Sequence, residues 1–553
     1  TMADVTSSFV KSNVSQNFDL KTNQTSTYKW SIQIPKDELR PLLVRFIAKG
    51  NTHSDGEETI IPVVTNRKLI TESLPLPVGS KENKSFVFLP LQKLKTSSSA
   101  SPHSLTLEFT SHPVWYAIQN LPYIMEYPHE CSEQLMSRIY ANTIGSYVMH
   151  QYPIVASTLK QIQTEGSNKS PLLKNEELKS ALIEETPWVL ASQSESEQMK
   201  RVSLLMDLNT MSQGLESALS KLESRQDPNG SWSWFPGGRY DWYITQHIVL
   251  EIAHLQKLGA IQKNKERYDA MVNRAKPFLE TMIKHQYELL AREVKAGRTR
   301  WEDNHLGYME LMFLYCKSYF TDWKSDDTFQ AIQNYYLLQM NNYWHSSNIY
   351  HEGICALIAS RNNKKDLAQL ITKSLSQRAI NNPELGMYWK NSWSYNWYEL
   401  PIETQALMVE VFYEITKNQK EVDALKVWLL KNKQTQHWGT TKATTAAIYA
   451  LLGFGPNTIE ESSPVEVSLG NKKIEVNKVE AGSGYFKKQW NTSEINASMA
   501  SIQVNNPNKS IAWGAVYYQY FEDLDKVNVY KETPLILDKQ LFIKEDSKKG
   551  PVL

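Results

Sequence analysis

The spacing of hydrophobic and polar positions changes twice along the chain. From about Asp4 to Phe109, apolar residues alternate with polar ones, as in Tyr28-Lys-Trp-Ser-Ile-Gln-Ile, Leu43-Val-Arg-Phe-Ile-Ala and Leu105-Thr-Leu-Glu-Phe. A period of two predicts strands with one buried face. Pro35, Asn51 to Gly56, Pro75 to Gly79 and the Ser/Thr run Thr96 to Ser101 supply the breaks. From Val114 to about Phe454 the period lengthens to that of helices. Helices are predicted over 131–150, 206–225, 242–259, 265–290, 303–320, 327–340, 363–376, 401–416, 420–432 and 440–453, joined by short loops. Strands return after Pro456, at Val465-Glu-Val-Ser-Leu, Lys473-Ile-Glu-Val, Ala500-Ser-Ile-Gln-Val and Ile511-Ala-Trp-Gly-Ala-Val-Tyr-Tyr-Gln-Tyr.

At 553 residues the chain is expected to hold several domains. Sixty basic residues against fifty-nine acidic ones leave a net charge of +1, and there is no long basic run, so nucleic acid is not an expected partner. No apolar run has the length of a transmembrane segment, and the polar start carries no signal pattern; Thr1 and Met2 read as residues added ahead of the natural chain. The three cysteines, Cys131, Cys316 and Cys355, form neither a disulfide framework nor a zinc ligand set, so no metal is expected. Cys316 and Cys355 sit in apolar helical contexts and read as inert core thiols.

Cys131 is different. In Tyr127-Pro-His-Glu-Cys131-Ser-Glu-Gln134-Leu-Met-Ser-Arg138, Pro128 marks a turn, Ser132 can cap, and helix-compatible residues follow. Cys131 and Gln134 then stand about one helical turn apart, where their side chains can meet. With ammonia lost, the sulfur can join the glutamine carbonyl as an internal thioester. The N-terminal end of a helix favours the thiolate that leaves when a nucleophile attacks. The plain alternative is a small buried hydrophobe ahead of ordinary helix sequence.

The longer stretch Pro113-Val-Trp115-Tyr-Ala-Ile-Gln-Asn-Leu-Pro122-Tyr-Ile-Met-Glu-Tyr-Pro128-His-Glu-Cys131-Ser-Glu-Gln134 resembles the thioester region of the α2-macroglobulin and complement family, its bacterial members above all. Ile511 to Tyr520 resembles the stretch that follows the thioester domain there, and Glu57 to Pro75 the segment that precedes it. The resemblance implies that Cys131 and Gln134 form the thioester, with Glu133 a motif residue of unassigned role. Many members carry glycine where this chain has Glu130, a side chain that could crowd the turn. The implied fold class is multidomain α plus β, with an α/α-toroid helical domain inserted into a β-sandwich. The implied domains are 1–113 (β-sandwich strands), 114–457 (toroid), 458–525 (strands returning to the sandwich) and 526–553 (a linker toward a further domain).

The implied function is a protease inhibitor that traps attacking proteases and acylates them in one turnover. It is not an enzyme and needs no cofactor beyond the Cys131–Gln134 cross-link. Its partners would be proteases and further domains of the full-length protein, in the periplasm or at the outer cell surface. Trp115, Tyr123, Tyr127, Trp234, Tyr240 and Trp242 are candidate shields of the bond against water.

Gln226-Asp-Pro-Asn-Gly230-Ser-Trp232 fits a Gln-x-x-x-Gly-x-Trp turn of the kind found in toroids, and Gln434 to Trp438 echoes it in part. Aromatic residues crowd 232–243 and 388–398. They could serve as sugar platforms, so an α/α-toroid polysaccharide lyase or glycosidase using Glu399 and Glu403 is the alternative function; a family scaffold without a working thioester is another. The loop Phe235 to Tyr243 holds no histidine, so direct attack by amines is expected to exceed attack by hydroxyls. His247 is expected to be structural, and His345 and His351 to be solvated loop positions.

Overall fold

The computed structural model describes residues 6–10, 13–34, 42–62, 67–93, 99–127, 129–165, 205, 207–261, 263–383, 385–390, 401–435, 438–455, 463–476, 479, 482–523, 545–547 and 550–552. The protein is a mixed α and β chain with several antiparallel sheets. It forms two compact units: one comprises Thr1–Ile70, Ser97–Pro102 and Gln519–Leu553, the other Thr71–Thr96 and His103–Tyr518.

Within the first unit, β1 (Leu42–Lys49) and β2 (Ser54–Ile61) form a hairpin in the register Leu42↔Ile61 to Lys49↔Ser54. The Tyr28 to Ile34 stretch does not form the strand its alternation predicts. Only Ile32 pairs, in an isolated bridge to Val10, and Ile32 and Ile34 remain exposed. Alternation yields a strand only where a neighbour supplies a ladder and a core.

The second unit holds two four-stranded sheets. The first has the order β10 (Tyr485–Asn491), β5 (Ser101–Thr110), β12 (Ala512–Asp523), β3 (Arg67–Val78), of which the parts within 71–78, 103–110, 485–491 and 512–518 belong to this unit. The second has the order β4 (Asn83–Val87), β11 (Ser501–Asn505), β8 (Glu466–Leu469), β9 (Lys472–Lys473). Each sheet therefore draws strands from both sides of the helical stretch, with Phe486 opposite Phe109 and Ile502 opposite Phe86 and Leu469. In β11, Ile502 and Val504 are buried while Ser501, Gln503 and Asn505 are exposed, the half-buried pattern that fixes register. The strand predicted over Lys473 to Val476 stops at Lys473.

Between the strands the helices fall into two sets. The first set is Ser132–Gln151, Trp242–Lys257, Tyr308–Lys317, Ile349–Arg361, Pro401–Ile415 and Thr441–Gly453. Among the described residues, each packs against the next, and the last packs against the first, so they close a ring. Their residues are buried on nearly every side, as required of helices with no solvent face. The second set, including Leu208–Ser224, Lys265–Lys295, Asp327–Tyr343, Lys365–Arg378 and Gln419–Thr435, packs against members of the first.

Loops between helices are fixed by tryptophan. In the Gln226 to Trp232 turn, Gly230 has φ +90°, and a Cβ there would lie 1.9 Å from the Arg274 carbonyl oxygen, so glycine is required. Gln226 Nε2 donates to the Gly230 and Met271 carbonyls, and Trp232 Nε1 donates to Leu222 O, 2.9 Å away near the end of the preceding helix. The same device recurs twice: Trp389 Nε1 donates to Leu375 O at 3.0 Å, and Trp438 Nε1 to Leu429 O at 3.2 Å. Gly386 precedes Trp389 by three residues with φ +82°. The bonds to Leu222 and Leu375 satisfy late carbonyls that a helix leaves without partners.

The helix predicted over 303–320 begins only at Tyr308, because Asp303 closes a local turn on Arg300 and Thr299. His351 is no loop residue: it lies in the first turn of Ile349–Arg361, where its N–H donates to the Asn348 cap and its ring stacks on Tyr308 at 5.3 Å. His345, in a short 3-10 turn, is exposed. Cys316 and Cys355 are fully buried, and burial pushes both thiols well above their usual range.

Candidate functional site

The Ser132–Gln151 helix starts one residue after Cys131, which is itself the cap. Cys131 has extended backbone angles, φ −67° and ψ 168°. Its Sγ accepts from the Gln134 backbone N–H at 3.5 Å, and its own N–H donates to Gln134 Oε1 at 3.1 Å. This is a reciprocal capping box in which cysteine stands for the usual serine or threonine and Gln134 holds the usual Glu/Gln position. It folds the Gln134 side chain back toward the residue that bears the thiol. Ser132, expected as the cap, is instead the first helical residue: its N–H donates to Trp234 O at 2.9 Å and its Oγ to Ser233 O at 2.6 Å. The helix start is thus pinned to the loop that follows Trp232.

Cys131 is 7% exposed. Burial raises its thiol pKa, Gln134 N–H opposes the rise, and the nearby Glu133 carboxylate adds to it. Glu130 does not crowd the turn. Its side chain points to Arg138 at 3.0 Å and Lys221 at 2.8 Å, its carbonyl accepts from Arg225, and its backbone is not left-handed. Pro128 lies outside the described residues.

Glu133 points the other way, into the ring. Thr441 Oγ1 lies 2.8 and 3.0 Å from its two carboxylate oxygens, and Ser137 Oγ donates to Oε1 at 3.0 Å. Burial raises its pKa, while these donors and Lys442 hold it down. Glu133 therefore ties the start of the Ser132–Gln151 helix to the start of Thr441–Gly453, where the ring closes. The sequence held one sign of this partnership: Thr440-Thr441-Lys442 heads a helix after the partial Gln/Trp echo.

The candidate shields occupy different places. Trp115 is buried, and Tyr123 meets Tyr127 edge-on at 5.7 Å. Tyr127 continues to His129, and its carbonyl accepts from Arg138. Trp234, whose carbonyl holds Ser132, stacks on Tyr243 at 6.0 Å, and Tyr243 stacks on His247 at 6.2 Å with rings 2° from parallel. Trp242 is the first residue of its helix and is half-buried. Tyr240 is 56% exposed and turns its ring toward Phe278. His247 is buried, and burial with Lys442 nearby drives its pKa down to about 3, which keeps the imidazole neutral.

At Tyr243 and His247 the ring helices form a chamber lined by Glu251, Glu403, Glu410, Lys442 and several tyrosines. Burial, with Glu133 adding, pushes Glu251 up to about 8; burial also raises Glu403. Glu403 is 3% exposed and lines this chamber. Glu399 and the aromatic residues at 393–398 lie outside the described residues.

No family profile and no curated protein sequence matches the chain. Among solved structures, it is similar to native α2-macroglobulin from Escherichia coli spanning domain MG7 to the C-terminus, at 12% identity and TM-score 0.39, over 85% of this chain and 60% of that one. It is also similar to E. coli α2-macroglobulin activated by porcine elastase, at 14% identity and TM-score 0.44, over 84% and 34% of the two chains. A third likeness is to Salmonella α2-macroglobulin reacted with methylamine, at 13% identity and TM-score 0.35, over 92% and 28%. The chain thus spans 60% or less of the length of each of these relatives, all of them bacterial α2-macroglobulins.

Proposed function

We propose that this chain is the thioester-bearing region of an α2-macroglobulin-like protease inhibitor, acting by single-turnover acyl transfer. The reading takes the helical ring as an α/α-toroid, residues 114–457, inserted between strand segments that build one β-sandwich. The observation that carries it is the reciprocal Cys131–Gln134 cap, which brings thiol and carboxamide together at a helix N-terminus in a mostly buried setting. In forming the bond, Sγ attacks the Gln134 side-chain carbonyl and the amide nitrogen leaves as ammonia. On activation, an amine of the trapped protease attacks that carbonyl, and the Cys131 thiolate leaves and takes up a proton. Cys131 is the leaving group, Gln134 the acyl donor and Glu133 a positioning residue. His247 is buried behind Tyr243 and makes no hydrogen bond to Cys131 or Gln134, so direct attack by an amine is expected to exceed transfer to hydroxyls. The proposed setting is the periplasm or outer cell surface. Among the described residues no helix is long and apolar enough to cross a membrane.

Intact mass spectrometry of native protein tests the reading. The mass is expected to fall short of the sequence value by one ammonia. Methylamine should replace that loss with its own mass and release one thiol, and Cys131→Ala should abolish both effects while the protein stays folded. A full sequence mass together with a freely alkylated Cys131 in fresh protein would overturn it.

A further inference from the structure

The central chamber is lined by three carboxyl groups and one lysine, and several of its buried acceptors lack donors. It lies among five helices of the ring and has a volume of about 50 Å³, room for about four water-sized groups. Glu410 on its wall is already neutralised by Lys257 and Arg361. That leaves Lys442 as the cation shared by Glu251, Glu403 and the neighbouring Glu133. Glu251 Oε2, both oxygens of Glu403 and His247 Nε2 have no hydrogen-bond partner, although these side chains are only 6%, 3% and 4% exposed. Buried acceptors left this way are costly, and a ligand carrying several N–H donors would relieve them.

We propose that this chamber binds a small monovalent ammonium-class cation, ammonium itself or a primary alkylammonium such as methylammonium. Its positive charge would stabilise the ionised forms of Glu251 and Glu403, which burial disfavours, and its N–H groups would donate to Glu403, Glu251 and the neutral imidazole of His247. A multivalent metal is disfavoured, because among the described residues no three His, Cys, Asp or Glu side chains are placed to hold one. A quaternary ammonium ion carries no N–H group and so could not relieve these acceptors. The site is separate from the thioester pair, since neither Cys131 nor Gln134 lines the chamber.

The test uses the full chain carrying Cys131→Ala, which cannot form a thioester and so cannot react with amines. Thermal unfolding at neutral pH in ammonium or methylammonium chloride should show a saturable rise in Tm of about 2 °C or more over equimolar sodium chloride. Tetramethylammonium chloride should give no such rise, and Glu403→Gln should remove it. Equal Tm in ammonium and sodium salts, or a rise that never saturates, would overturn the proposal. If Glu403→Gln does not fold, NMR of the Cys131→Ala protein with 15N-ammonium decides. A distinct bound resonance with protons protected from water supports the site, and a free-ion signal alone throughout the titration overturns it.

Discussion

Two carboxylates in the wall of one chamber, Glu410 and Glu251, are both buried and yet held in opposite states. Glu410 accepts from Lys257 at 2.8 Å, Arg361 at 2.7 Å, Tyr315 at 2.8 Å, Tyr319 at 2.7 Å and Tyr449 at 3.1 Å. Burial alone would raise its pKa, but Arg361, Lys257 and His254 together hold it well below the usual carboxylate range. Glu251 has an oxygen with no donor, and its pKa is pushed up to about 8. Helix content and burial are alike at the two positions; only the donors differ. One side of the ring is therefore a locked ionic joint linking three of its helices, while the side nearer Glu133 and Cys131 keeps its acids short of partners.

The comparison breaks hardest at the joint. Glu410→Ala leaves Arg361 and Lys257 with Glu414 as their remaining counter-charge, and removing a buried partner of this kind costs on the order of 3 kcal/mol. Urea denaturation should register that loss, and an unchanged midpoint would show that the joint is not structural.

The open side should show itself through pH. An acid whose folded pKa lies above its unfolded value contributes stability that is fully present below the unfolded pKa, here about 4.5, and is lost as pH rises through about 8. Stability should therefore fall on the alkaline side, on the order of 3 kcal/mol between those limits after relaxation of the site. Glu251→Gln should flatten the fall. Denaturant midpoints measured from pH 5 to 9 would contradict the assignment if the two proteins gave parallel profiles.

The tryptophan turns give a third contrast, between what pattern reveals and what it hides. Gln226 to Trp232 was legible because glutamine, glycine and tryptophan stand at a recognisable spacing. The Gly386 to Trp389 turn was hidden, since its glutamine equivalent, Gln405, reaches in from the following helix to the Met387 and Leu425 carbonyls. Helix positions were legible from period alone, as in Trp242–Lys257 and Pro401–Ile415. The Ile349–Arg361 helix was not among the predicted spans, because its nearly unbroken apolar run has no 3.6-residue stripe. At the site, Cys131 and Gln134 were legible as a pair, but the bond from Glu133 to Thr441 spans 308 positions, and no local signal reports so distant a partner. Gly230→Ala, which must move the Arg274 backbone away and also adopt φ +90°, should cost about 2 kcal/mol. A thermal melt of the variant within error of the parent would show that the turn yields easily.

The smallest effect is expected at Glu130, where the sequence alone suggested an obstacle to the thioester. Lys221 and Arg138 lower its pKa by pairing with it, yet its side chain is 35% exposed. Solvent screens such pairs, so they stabilise by no more than about 1 kcal/mol. Any contribution would be present at neutral pH and lost as pH falls below the ordinary carboxylate range, because the folded pKa is the depressed one. Glu130→Gly removes both pairs and frees the backbone ahead of Cys131, so part of its cost would come from the unfolded chain. The cap itself does not use the Glu130 side chain, since both of its hydrogen bonds run between Cys131 and Gln134. The variant should therefore lose about 1 kcal/mol or less and form the thioester to the same extent, as read by the ammonia deficit in its intact mass. A larger deficit in Glu130→Gly than in the parent would mean that the side chain hinders bond formation after all, and would make glycine at this position a requirement of the chemistry rather than of the turn.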